Sequence, residues 1–183
     1  MSVLPIVTYE DQILREKAKP VKNNSKELQK LIDDMFDTMY NADGVGLAAP
    51  QIGKAWRIFV ADASPFYEED ENAPGPLVLI NPAITLESDK TITIEEGCLS
   101  IPDIRGAVTR PENVVVEYKD RNLKKQKRNV NGPLARVIQH ETDHLNGILF
   151  IDHLSYFKQK LLSAKLKALT EGANQVNYPV VAK

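Results

Sequence analysis

Residues 139–147 read QHETDHLNG, and this stretch with its flanks restricts the fold more than any other part of the chain. Val137, Ile138, Leu145, Ile148 and Leu149 surround His140 and His144, so the segment belongs in the interior. Pro133 suits the opening turn of a helix and Gly147 the residue past its end, which predicts a helix over Pro133–Asn146. On that helix His140 and His144 stand four apart and project from one face, a turn from each other. Buried imidazoles require partners. Whatever the fold, other elements must close around a helix that carries a polar face in its interior.

The rest of the chain supplies those elements. In 23–44 the residues Leu28, Leu31, Ile32, Met35, Phe36, Met39 and Tyr40 recur at helical spacing, with Asn24 or Ser25 as cap and Gly44 as the stop. The stretches 56–62, 76–82, 84–88 and 91–96 are short, β-branched or alternating, and broken by turn residues. Residues 112–120 and the polar stretch to Val130 read as a hairpin, and 66–75, acidic with a proline, as a solvated loop. A last helix is expected over about 155–170, with Phe157, Leu161, Leu162, Leu166 and Leu169 on its apolar side. With 183 residues and no repeat, the expectation is one α+β domain over 1–183. Mostly antiparallel sheets would pack around the central histidine helix, with one helix before it and one after, and 155–183 as C-terminal helix and tail.

His140-Glu141-x-x-His144 is the pattern in which two imidazoles share one metal ion and the carboxylate reaches the water bound to it. A catalytic site needs a third protein ligand and one open position. Of the three histidines, His153 is too close in sequence to return to the same face, and the longer pattern with a third histidine at 150 is absent, since that residue is Phe150. Cys98, the sole cysteine, follows an alternating strand, and Gly97 leaves the backbone room to bend. A lone cysteine is most often a small buried hydrophobe. Beside an incomplete histidine pair it becomes the candidate thiolate.

GVGLAAPQIG (44–53) formally matches a dinucleotide fingerprint, but it follows a helix and contains Pro50, so that reading is rejected. Its glycines permit close approach of another backbone, and the Gln51 amide can donate to an oxyanion.

Taken together, GVGLAAPQIG, EGCLS (96–100) and QHETDHLNG resemble, in the same order, the three signature motifs of peptide deformylases, and PIVTYEDQILREKAKPV (5–21) looks like that family's N-terminal segment. The resemblance implies a hydrolase that removes the formyl group from N-formylmethionyl nascent peptides. It further implies that Cys98, His140 and His144 hold one divalent ion, usually Fe2+ in the family and replaceable by Zn2+, Ni2+ or Co2+. Glu141 would be the catalytic carboxylate, and Gln51 and the Leu99 N–H would face the oxyanion. The Val45–Gly46 backbone would pair with the substrate main chain, and an apolar pocket near Val45 and Val137 would suit the methionine side chain.

Two rivals remain at this stage. A metallo-endopeptidase could use the same helix, but the cysteine ligand, the small size and the expected lack of a propeptide or secretory leader stand against it. A structural metal site would need four protein ligands, and three are counted. With net charge −2 and the most apolar stretches, such as PLVLI (76–80), far too short to span a bilayer, no membrane partner and a cytoplasmic location are expected. The basic runs 119–128 and Lys158, Lys160, Lys165 and Lys167 are either solvated faces or a salt-dependent ribosome dock, and the resemblance favours the C-terminal helix for the dock.

Overall fold

The computed structural model describes residues 2–67, 73–170 and 176–181. Helix α1 (Lys26–Asn41) precedes strands β1 (Gly46–Ala48), β2 (Ile58–Ala61), β3 (Leu77–Glu87), β4 (Thr91–Cys98), β5 (Ile101–Pro111), β6 (Asn113–Lys119) and β7 (Lys125–Asn131), then α2 (Gly132–His144) and α3 (Tyr156–Thr170). The architecture is α+β. Five strands form one antiparallel sheet in the order β1-β2-β3-β6-β7, and β4 and β5 pair as a separate hairpin.

Alternation along β2 explains the layers. Phe59 and Ala61 point into a core shared with Leu134, Val137, Ile138 and Leu145 around α2. Ile58 and Val60 point the other way, into a core with Leu28, Ile32, Met35 and Met39 of α1. The sheet is therefore covered by α1 on one face and by the histidine helix on the other. A third apolar cluster, with Ile101, Ile104, Val108, Phe150, Leu166 and Leu169, seats the β4–β5 hairpin and the end of α3 beside α2.

Several expectations are refined. The stretches 76–82 and 84–88 form a single strand, β3, because Asn81 (φ 52) and Pro82 sit at a register shift and do not end it. The Asn81 amide is used: it exchanges two hydrogen bonds of 2.8 Å with the Val21 backbone. Ser25 caps α1 by accepting from Leu28 N–H at 3.1 Å. Gly44 is not the left-handed stop. Asp43 (φ 51) takes that conformation, and the N–H groups of Asp43 and Gly44 close a Schellman motif on Tyr40 and Met39 carbonyls. Part of the 44–53 stretch is strand β1 followed by a 3-10 turn, Ala49–Ile52. On α3, Phe157 and Leu161 face solvent, and of the five residues expected on its apolar side Leu166 and Leu169 are buried.

Candidate metal centre and active site

Three elements bring the site together. Helix α2 carries His140, Glu141 and His144, the end of β4 carries Cys98, and the turn after β1 carries Gln51. The donor atoms of Cys98, His140 and His144 all lie within 4.8 Å of one another. Cys98 Sγ is 3.2 Å from His144 Nε2. His153, discounted from sequence, bonds Asp143 Oδ2 at 2.8 Å and stands outside this group.

The orientation of His140 follows from its neighbour. Glu96 accepts from Arg110 Nε at 2.7 Å and Nη2 at 3.0 Å, and from Arg136 Nη1 at 2.8 Å. Buried among these cations, it stays ionised: desolvation raises its pKa, but the hydrogen bonds from His140 and Arg110 outweigh that and hold it well below the usual carboxylate range. An ionised carboxylate can only accept, so His140 Nδ1, 2.9 Å away, carries the proton. Nε2 is the nitrogen left to face Cys98 and His144, in the carboxylate–histidine arrangement that orients metal ligands, and a proton carried there is released when an ion binds. Burial lowers the His140 pKa, but Cys98 and Glu96 together raise it, to about 10. Burial and the neighbouring His140 charge push His144 well below its ordinary value.

Glu141 is 4% exposed, and burial pushes its carboxyl up to about 7. Its Oε2 has no protein partner. A buried carboxylate oxygen without a partner is costly and therefore informative. Gly46 lies against it so tightly that a Cβ there would come 2.4 Å from Oε1. Gln51, buried, accepts from Ala48 N–H through Oε1 at 2.8 Å, which turns its amide nitrogen toward Cys98 Sγ (3.6 Å) and Ser100 Oγ (3.4 Å). Val45, Gly46, Gln51, Cys98, Leu99, Val137, His140 and Glu141 share one open cavity of about 910 Å³, with His144 buried behind them. A cysteine sulfur and two imidazoles, with no fourth protein donor in the group among the described residues, fit a divalent ion that keeps an open position.

A family model described as polypeptide deformylase matches residues 3–160. The chain belongs to the polypeptide deformylase family. A peptide deformylase of Salinibacter ruber is 47% identical over 99% of this chain and 95% of the relative. One of Brucella suis is 45% identical over 92% of this chain and 94% of the relative. The crystal structure of a peptide deformylase from Legionella pneumophila superposes with TM-score 0.83 at 41% identity, covering 95% of this chain and 99% of that one. Another, from Ehrlichia chaffeensis in complex with actinonin, gives 0.85 at 40% identity over 92% and 98%.

For a member of this family, the sequence reading gives no role to part of the polar frame. Arg136 is one helical turn before His140 on the same face, a spacing that could have flagged it. Glu96 precedes Cys98 by two residues and so shares its side of the strand. Arg110 comes from β5 and gave no local signal.

Proposed function

We propose that this chain removes the N-formyl group from the formylmethionine of newly synthesised polypeptides, releasing formate, and that Cys98, His140 and His144 hold one divalent ion for the purpose. The carrying observation is the convergence of these three donors, two of which line the cavity, with an unpartnered buried Glu141 oxygen, in a chain of this family. The ion would supply Lewis acidity, lowering the pKa of a coordinated water and drawing charge from the formyl oxygen. Glu141, kept near neutrality by burial, takes the proton of the attacking water and later passes it to the leaving amine. The Gln51 amide, fixed by Ala48, and the Leu99 N–H donate to the developing oxyanion. Strand β1 is the last of its sheet on that side; the Val45 carbonyl accepts from Asp62 N–H, and the Gly46 backbone at the edge supports pairing of the Val45–Gly46 segment with the substrate main chain. Val45 and Val137 offer apolar surface to the methionine side chain.

The family's usual ion is Fe2+, and a thiolate with two imidazoles also accepts Zn2+, Ni2+ or Co2+. Formylated nascent chains exist where translation occurs, which supports a cytoplasmic location. The test is turnover of a formyl-Met tripeptide and of unfolded casein by anaerobically purified protein. Release of formate from the tripeptide with casein intact is expected. Cleavage of casein would favour the endopeptidase, and Glu141→Ala retaining both metal and full turnover would remove Glu141 from the mechanism.

Ribosome docking through α3 belongs to the same reading. Lys158, Lys160, Lys165 and Lys167 lie on exposed positions beside Tyr156, Phe157 and Leu161, which are 80%, 69% and 65% exposed. Because Leu166 and Leu169 are core residues, charge reversal tests this better than deletion. Lys158→Glu with Lys165→Glu should weaken co-sedimentation with ribosomes at low salt and spare peptide turnover. Unchanged co-sedimentation would discard the α3 dock.

A further inference from the structure

The cavity does not end at the residues the family motifs supply. Val176, Asn177 and Tyr178 line it as well, although they follow α3 and lie outside the matched segment 3–160. They are held there by the far end of the chain. Ile6 N–H donates to Pro179 O and Val181 N–H to Ile6 O, both at 2.9 Å, so Val180 runs as a parallel bridge beside the fully buried Ile6. The Tyr178 hydroxyl donates to Leu99 O at 2.8 Å, and its ring packs, with Leu99, on the apolar cluster under α1. Burial, with Cys98 and Asp103 nearby, pushes this hydroxyl up to about 12, so it remains a donor.

The path from the metal group to the tail can be followed residue by residue. Gly46 touches Glu141; Val45 and Gly44 come before it in the chain. A Cβ on Gly44 would meet Leu99 Cδ1 at 2.9 Å, so Gly44 and Leu99 are in contact, and Leu99 in turn holds Tyr178. A cavity of about 910 Å³ is at the large end for small-ligand sites and exceeds what one formylated residue fills. A peptide lying along Val45–Gly46 and continuing past Gly44 and Leu99 comes to Tyr178, which lines the same cavity.

We infer that residues 176–178 are a wall of the substrate cavity and that Tyr178 positions the part of the peptide that follows the formylated residue. The inference rests on the deformylase reading and extends it from the reacting group to the downstream chain. An aromatic ring anchored by its own hydroxyl gives rigid, sequence-tolerant contact area, suited to an enzyme whose substrates share only their first residue.

The experiment compares kcat/KM for a formyl-Met dipeptide and a formyl-Met tetrapeptide in the metal-loaded full chain, in Tyr178→Ala and in Tyr178→Phe. The wild type should prefer the tetrapeptide, and Tyr178→Ala should lower the tetrapeptide-to-dipeptide ratio about tenfold, chiefly through KM. Tyr178→Phe keeps the ring, loses the Leu99 anchor and should lower the ratio by a smaller factor. If Tyr178→Ala does not fold, Tyr178→Phe alone carries the comparison. A ratio unchanged in the folded variants, with wild-type turnover intact, overturns the inference. A wild type that turns over neither peptide refutes the deformylase reading itself.

Discussion

A single methyl group at Gly46 is expected to disable the site without unfolding the chain. The Cβ of Gly46→Ala would stand 2.4 Å from Glu141 Oε1, 2.8 Å from Cδ and 2.9 Å from Cγ. Ordinary van der Waals contact begins near 3.4 Å, so the carboxylate has to retreat by about 1 Å. Glu141 is 4% exposed, on a helix fixed at both histidines, and the whole side chain from Cγ outward is in the way. A displacement of about 1 Å at a catalytic group costs on the order of 10²-fold in rate, or roughly 2.7 kcal/mol of transition-state stabilisation. The assay is kcat/KM on a formyl-Met tripeptide, with metal content and Tm measured alongside. Gly75→Ala serves as control, since a Cβ there meets nothing within 4 Å. A Gly46→Ala protein that is folded, metal-loaded and within threefold of wild-type activity would refute the placement of Glu141 as the proton carrier.

Three further outcomes follow from the same geometry. Glu96→Gln cannot accept from both arginines and His140, so metal affinity should fall about 10- to 100-fold by competition with a chelator, and unchanged affinity would separate Glu96 from the proposed metal group. Gly147 (φ +75) has the Arg15 carbonyl oxygen 2.5 Å from where a Cβ would go, so Gly147→Ala should cost at least about 1–2 kcal/mol and lower Tm by roughly 3 °C or more. A scanning-calorimetry trace identical to wild type would contradict that. Under air the Fe2+ form should lose activity faster than the Ni2+ form, through oxidation of the iron or of the Cys98 thiolate; equal half-lives would argue against a ferrous site open to solvent.

What the sequence discloses here depends on how local each determinant is. The stripe of α1, the β6–β7 hairpin and the histidine helix follow from spacing within one segment, and their limits move by only a few residues. Strand β5 escapes because Pro102, Gly106 and Pro111 argue against a strand. It tolerates them because it belongs to a two-stranded hairpin, with only one neighbour to bond. Strand β1 is three residues long and buried throughout, so no alternation marks it. The three ligand candidates, legible by motif, do fall together, whereas Arg110 is tied to them through contacts at separations of 14 and 33 residues that no local pattern encodes.

The Glu96 cluster has a consequence for which ion the protein carries. Arg110 on β5 and Arg136 on α2 both close on a carboxylate of β4, so the hairpin that bears Cys98 is fastened to the helix that bears the histidines by protein contacts alone. The cost of gathering the three donors is therefore met when the chain folds, and an incoming ion finds them already grouped. A site assembled in advance adds nearly the same increment to every divalent ion that fits it. Discrimination then falls to the intrinsic order of ligand preference, in which zinc outranks ferrous iron. The metal this fold takes up would thus follow that order weighted by the supply of each ion at the moment of loading.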